Sequence, residues 1–190
     1  YQWSNGATTA NLTNIGPGTY SVTITDAAGC ISTLNGMVVT EPTQMQISSS
    51  TVDVDCFGNN NGSINIVVNG GTTPYVFQWS NGSTTQNISN LSGGNYSLTL
   101  TDKNGCSITN SYYIHEPALL SAMTTSSNVS CNGLSDGSIS INIGGGTINY
   151  TINSFGFSQV LNNGVNTFST LSTLPADIYP FIIIDSNGCI

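Results

Sequence analysis

The 190-residue chain carries a single basic residue, Lys103, against nine acidic ones, which gives a net charge of −8. Only 5% of its residues are charged, against roughly a quarter in an ordinary soluble domain. Nucleic-acid binding and polybasic membrane attachment both need clustered Lys and Arg, so the composition excludes both classes of protein. No run approaches about 18 consecutive apolar residues, so we expect no direct membrane insertion. A surface made soluble by neutral Asn, Ser and Thr suggests an extracellular location.

The sequence repeats itself at an interval of about 76 residues. Matched pairs are Trp3 and Trp79, Tyr20 and Tyr96, Asp26 and Asp102, Cys30 and Cys106, and Cys56 and Cys131. A third copy has Tyr179, Asp185 and Cys189 in the matching places but no matching tryptophan. We therefore predict three units: residues 1–43, the C-terminal part of a first repeat; residues 44–118, a complete second repeat; and residues 119–190, a third repeat that lacks most of its last strand. We expect the chain to be a window from a longer array.

Along the second repeat, apolar residues alternate with polar ones, which predicts short antiparallel strands with one buried face. The apolar positions are Ile64, Ile66 and Val68, then Tyr75, Phe77 and Trp79, then Tyr96, Leu98 and Leu100. Asn81-Gly82 and Asn104-Gly105 are typical hairpin turns, because both residue types tolerate positive φ. About seven strands in such a unit predict an all-β fold of tandem immunoglobulin-like, PKD-like antiparallel β-sandwich repeats.

The recurrent aromatic residues are predicted to form the core. They are Trp3, Trp79, Tyr75, Phe77, Tyr20, Tyr96 and Tyr179. A tryptophan beside a polar Ser-Asn-Gly turn also fits a sugar-stacking platform. We favour the core because Trp79 shares a strand face with Tyr75 and Phe77. In the third repeat, where the tryptophan is missing, we expect Phe155 or Phe157 to fill its space.

The sequence offers little for catalysis, and we predict no enzymatic activity. Its one histidine, His115, has Thr40 as its counterpart in the first repeat, and no nucleophile motif accompanies it. Asp102, Asp136 and Asp185 are the candidate calcium ligands, although calcium needs six to eight oxygens and the acidic residues are sparse. An aspartate before a Gly-Cys step more simply binds the backbone amides of its own turn. We therefore predict no cofactor, with calcium as the alternative.

Five cysteines in an extracellular composition suggest disulfides. Pairing within a repeat joins Cys56 to Cys106 and Cys131 to Cys189, and leaves the partner of Cys30 outside the sequence. Pairing across the linker joins Cys30 to Cys56 and Cys106 to Cys131. We favour the first pattern, although the two cysteines of one sandwich can lie at opposite ends, in which case free cysteines remain an alternative.

The order of motifs in the second repeat resembles the SprB repeat family of gliding Bacteroidota. The motifs are Cys56-x-Gly58, Asn61-Gly-Ser63, Gly70-Gly-Thr-x-Pro-Tyr75, Trp79-Ser-Asn-Gly82, Gly94-x-Tyr96 and Asp102-x-x-Gly-Cys106. The resemblance covers nearly the whole chain. The third repeat departs from it, with Phe155-Gly156 in place of Trp-Ser-Asn-Gly.

This resemblance implies a very large cell-surface protein that is exported by the type IX system and displayed as a filament. Such proteins are adhesins of gliding cells, and the repeats would be their non-catalytic stalk. The implied partners are neighbouring repeats of the same chain, and lateral copies of the chain or surface polysaccharide are further candidates. The alternatives are a carbohydrate-binding module and an accessory β-sandwich module of a secreted hydrolase.

Overall fold

The computed structural model describes residues 1–154, 157–161 and 167–190, and the side chains of residue 157 and of residues 167–170 are not described. Throughout these residues the secondary structure consists of antiparallel strands and connecting turns, without a helix. Five three-stranded sheets result, one from the first repeat and two from each of the others. No helix with the length and apolar character needed to cross a membrane occurs in the described part of the chain.

The first repeat contributes one sheet in the order β1-β2-β3. Its strands are β1 (Gln2–Trp3), β2 (Gly18–Thr25) and β3 (Ile31–Val39). In this sheet Trp3 pairs with Val22, and the strands β2 and β3 form a hairpin closed by the turn before Cys30. Val22 is its buried hydrophobic residue, whereas most of the side chains of β3 are exposed.

The second repeat is a sandwich of two sheets. Its strands are β4 (Gln46–Val52), β5 (Gly62–Asn69), β6 (Val76–Trp79), β7 (Ile88–Leu91), β8 (Gly94–Thr101) and β9 (Ser107–Ile114). One sheet has the order β4-β5-β7 and the other has the order β6-β8-β9. Both sheets contribute to one apolar core, whose fully buried members include Ile64 on β5, Leu98 on β8 and Ile114 on β9.

The third repeat resembles the second, but in its described residues it has one additional strand and no counterpart of β9. Its strands are β10 (Ser121–Ser127), β11 (Gly137–Gly144), β12 (Tyr150–Ser154), β13 (Phe157–Leu161), β14 (Thr167–Leu174) and β15 (Ile182–Ile184). The sheets have the orders β10-β11-β14 and β13-β12-β15. Strand β13 has no counterpart in the second repeat. It lies within residues 148–176, where the third copy of the repeat is seven residues longer: Tyr179 follows Tyr96 by 83 positions, whereas Tyr96 follows Tyr20 by 76.

The predicted all-β class of antiparallel β-sandwich repeats is confirmed. The complete second repeat has six strands rather than about seven, and its finer assignment as immunoglobulin-like stays a prediction. The predicted filling of the tryptophan space by Phe155 or Phe157 lies outside the described residues.

A pair of glycines docks each linker onto the repeat that follows it. Gly71 donates its backbone N–H to Thr43 at 2.7 Å, and Gly146 donates to Ala118 at the same distance. A Cβ atom at Gly70 would collide with the backbone oxygen of Gln44, so the linker can lie this close only beside a glycine. The linkers therefore enter the second and third repeats in the same way.

Candidate functional site at the ends of the repeats

Each repeat carries the same five-residue loop, which we call the aspartate turn: residues 26–30, 102–106 and 185–189. In the second repeat, Asp102 Oδ1 accepts hydrogen bonds from the backbone N–H groups of Asn104 and Cys106, both at 2.9 Å. Asp102 Oδ2 accepts a third bond, at 3.0 Å, from the N–H of Thr72, which lies beside the incoming linker. The carboxylate thus shapes its own turn and ties that turn to the start of the repeat.

The aspartate turn of the third repeat has nearly identical geometry. Asp185 Oδ1 accepts from Asn187 N and Cys189 N at 2.9 Å, and its Oδ2 accepts from Thr147 N at 2.8 Å. Asp102 and Asp185 are both buried, with 5% of their surface exposed. A buried carboxylate must have its oxygens hydrogen-bonded, and the three amide donors meet that requirement.

In the first repeat, Asp26 occupies the same position but remains exposed. Its Oδ1 accepts from Ala28 N and Cys30 N, both at 2.8 Å. The backbone N–H of Cys30, more than any other group, lowers the pKa of Asp26 below its ordinary value of 3.8. The turn therefore forms in all three repeats, with or without the additional threonine contact.

Of the three calcium candidates, Asp102 and Asp185 belong to aspartate turns and Asp136 belongs to a different loop. Asp136 lies at the opposite end of the third repeat from Asp185, and its two carboxylate oxygens accept from the backbone N–H and the hydroxyl of Ser130. The Ser130 hydroxyl is the main cause of its lowered pKa. No group of three or more His, Cys, Asp or Glu side chains is arranged to hold a metal ion within residues 1–154, 157–161 and 167–190.

A second kind of loop, the first-cysteine turn, occupies residues 53–61 in the second repeat and 128–136 in the third. Asp53 Oδ1 accepts from His115 N at 2.9 Å, and Val54 N donates to His115 O at 3.0 Å. Gly58 N donates to Glu116 Oε1 at 2.6 Å. His115 and Glu116 begin the outgoing linker, so this turn lies where the chain leaves the second repeat. His115 contributes backbone groups to this contact, and its side chain is exposed.

Within the first-cysteine turn, Asp55 orders the residues around Cys56. Its Oδ1 accepts from Cys56 N at 2.7 Å and from the side-chain amide of Asn59 at 2.8 Å. The Asn59 contact is the largest cause of the lowered pKa of Asp55. A bond from Asp55 N to Asn61 Oδ1 at 3.2 Å closes the loop.

The structure pairs Cys56 with Cys189, so the predicted pairings of Cys56 with Cys106 and of Cys131 with Cys189 are wrong. The Cα atoms of Cys56 and Cys189 lie 5.6 Å apart although 133 positions separate them in sequence. Cys30, Cys106 and Cys131 are free and exposed, so the pairing across the linker is not formed either. The disulfide joins the first-cysteine turn of the second repeat to the aspartate turn of the third.

The physical reason for this correction is that the two cysteines of one repeat lie at opposite ends of the sandwich. The Cys56 turn contacts the outgoing linker at His115 and Glu116. The Cys106 turn binds Thr72, next to the glycine that contacts the incoming linker. Cys56 therefore lies next to the aspartate turn of the third repeat and far from the aspartate turn of its own repeat.

Asn187 adds a polar contact to the same junction. Its side-chain amide donates to Thr147 Oγ1 at 3.0 Å within the third repeat and to the backbone oxygen of Asp55 at 2.9 Å in the second. Asn104, its counterpart, donates to Thr72 Oγ1 at 3.0 Å. The junction thus combines a disulfide, a hydrogen bond from the Asn187 side-chain amide and, in the linker, a hydrogen bond to the Glu116 carboxylate.

Trp79 lies inside the second repeat. Its side chain is 2% exposed, and its indole N–H donates to Thr85 O at 2.8 Å. Tyr75, Phe77 and Tyr96 are half-buried and pack against the same core, and the Tyr112 ring lies 5.7 Å from that of Trp79. A sugar platform needs an exposed ring face, which Trp79 does not offer. Trp3 makes the same bond, to Thr9 O at 2.8 Å, but is half-buried.

The recurrent tyrosines share a bond that the sequence analysis missed. Tyr20, Tyr96 and Tyr179 are half-buried, and each donates its hydroxyl to the backbone oxygen four residues earlier, at 2.8–3.0 Å. The acceptors are Gly16, Ser92 and Pro175. The sequence signal for this contact is a tyrosine four residues after a residue in the preceding loop, which recurs in all three repeats.

Two segments of the chain, residues 48–84 and 123–153, match the family model of the SprB repeat. They begin 75 residues apart, which agrees with the internal repeat, and each contains the first-cysteine turn of its unit. No curated protein matches the chain.

Proposed function

Because the chain carries SprB repeats, which belong to cell-surface proteins, we propose that it is a non-catalytic stalk region of a very large secreted adhesin. In this proposal the repeats form a filament that is exported by the type IX system and that supports surface adhesion and gliding motility. The SprB repeat is a structural repeat domain. The family match supports the proposed cell-surface location, and adhesion and motility extend the proposal beyond that match.

The observation that carries the proposal is the junction between the second and third repeats. The disulfide and the Asn187 contact join the third repeat to the end of the second, and the Glu116 contact holds the linker between them against the first-cysteine turn. Such contacts limit bending between neighbours, which a stalk requires if it is to hold an adhesive region away from the cell. The near-absence of charge also limits nonspecific ionic binding along the stalk.

The experiment exchanges the repeats in the bacterium that makes the protein. Replacing this region with the same number of unrelated β-sandwich modules should leave surface display, adhesion to glass and spreading on agar intact, since a stalk supplies reach rather than binding. Deleting the region should reduce adhesion while surface labelling persists. Loss of adhesion in the replacement strain, with display unchanged, would show that the repeats themselves bind the target.

A binding assay with the purified chain separates the stalk from the carbohydrate-binding alternative. We expect no retention of the chain on surface polysaccharide, because the Trp79 ring lies in the core. Retention that Trp3→Ala abolishes, in a chain with an unchanged far-ultraviolet spectrum, would support the alternative.

A further inference from the structure

The groups at the junction between the second and third repeats have counterparts in the aspartate turn of the second repeat and in the linker that precedes it. At the observed junction, Cys189 forms the disulfide, Asn187 binds Asp55 O, and Glu116 binds Gly58 N. Their counterparts are Cys106 and Asn104, each 83 positions earlier, and Glu41, 75 positions earlier.

Cys106 and Asn104 have the same local arrangement as Cys189 and Asn187. Cys106 N and Cys189 N each lie 2.9 Å from the aspartate oxygen of their turn, and Asn104 holds its threonine at the same 3.0 Å as Asn187. Cys106 is free and exposed. Glu41 and Cys106 line one cleft of about 350 Å³ between the incoming linker and the aspartate turn.

We propose that Cys106, Asn104 and Glu41 form a docking site for the first-cysteine turn of the SprB repeat that precedes the second one in the array. The incoming turn supplies a cysteine for Cys106, a backbone oxygen for Asn104 and a glycine N–H for Glu41. The two thiols lose two protons and two electrons to a disulfide oxidant, which is reduced to two thiols, and their sulfurs form the bond.

The general rule is that the first cysteine of each repeat pairs with the second cysteine of the next. Cys131 lies in a turn like that of Cys56, since Ser130 N is bonded to Asp136 Oδ1 as Asp55 N is bonded to Asn61 Oδ1. The rule therefore assigns Cys131 a partner in a following repeat. The first repeat has Ala28 in place of the asparagine, so its site would lack the amide contact.

The test inserts a second copy of residues 44–118 directly after the first, where Ala118 meets Gln44 as Thr43 does in the natural chain. The longer chain has seven cysteines: the five natural ones and second copies of Cys56 and Cys106. After folding with oxidised and reduced glutathione, N-ethylmaleimide labelling and intact mass count the free thiols. The proposal expects two disulfides and three free thiols; five free thiols or one would overturn it.

A matched pair of variants identifies the bond. Cys106→Ser in the second copy should release Cys56 of the first copy and give four labelled thiols. The same substitution in the first copy removes a thiol that is already free and should give two. Pairing within each repeat predicts two labelled thiols in both variants, so equal counts would contradict the proposal even if the total in the parent chain agreed.

Discussion

The second and third repeats differ in their apolar cores and agree in their aspartate turns. The second encloses Trp79 in a core to which all six strands or their flanking residues contribute, whereas the third has no tryptophan and adds β13, whose Leu161 is buried with Tyr150. The aspartate turns of the two repeats nevertheless agree within 0.2 Å in each carboxylate bond. A sandwich core can be filled in several ways. The ends must each fit a neighbour, which allows less variation.

The largest expected effect comes from the residue that distinguishes the two cores. Trp79→Ala should lower the free energy of unfolding of the second repeat by about 3–5 kcal/mol, because it leaves a large cavity and an unpaired Thr85 oxygen. Urea unfolding followed by circular dichroism measures the loss. Trp3→Ala is the control, and it should cost less because Trp3 is half-buried. Equal losses would contradict the core assignment.

Removing the junction disulfide is the next largest change. Cys56→Ser combined with Cys189→Ser should lower stability by about 2–4 kcal/mol, since a disulfide restricts the unfolded chain. Scanning calorimetry under non-reducing conditions measures the shift. Cys30→Ser, at a free and exposed cysteine, should leave the melting profile unchanged. If both variants melt alike, the bond between Cys56 and Cys189 is not formed in solution.

The aspartate turns allow a comparison of the same substitution in two repeats. Asp102→Asn should cost about 1–3 kcal/mol, because an amide nitrogen would then face the N–H of Thr72 in a buried site. Asp26→Asn should cost less, since Asp26 is exposed and makes no threonine contact. Denaturant midpoints of the two variants provide the measurement. A larger effect at Asp26 would refute the role given to burial.

Acid should weaken the turns through the carboxylates whose pKa is lowered by hydrogen bonds. Asp26, Asp55 and Asp136 have lowered pKa values in the folded chain, so the unfolded chain binds protons more readily. Their contribution to stability is therefore complete above their ordinary pKa of 3.8 and is lost as pH falls through the lower folded values. The urea midpoint should be the same at pH 7 and pH 5 and should decrease at pH 3. A midpoint that rises on acidification would contradict this sign.

Calcium should have the smallest effect. Asp102, Asp136 and Asp185 direct their oxygens to hydrogen-bond donors of the protein in the described structure. We therefore expect thermal melts in chelator and in millimolar calcium to coincide. A rise in melting temperature with calcium that Asp185→Asn removes, but Asp26→Asn does not, would support the calcium alternative.

The sequence was sufficient for the buried faces of the strands in the second repeat. Alternation marked Ile64 and Ile66 as inward-facing, and both are buried. Composition and periodicity could not give the cysteine pairing, because pairing depends on which ends of consecutive repeats meet. The hint in the sequence was the asparagine at 187, where the first repeat has alanine at 28, since the Asn187 side chain contacts the neighbouring repeat. The additional strand β13 was visible only as an insertion, since its apolar pattern is short.

The position of the disulfide also determines how the chain would respond to being pulled. A force applied along the backbone from Cys56 to Cys189 passes through the sulfur–sulfur bond, so the 133 positions between them are bypassed. Unfolded, that stretch would extend by up to about 450 Å at roughly 3.4 Å per residue. In the oxidised chain the disulfide prevents this stretch from extending, and reduction would allow it to extend. The redox state of the surroundings would therefore set the maximum length to which the chain can be pulled.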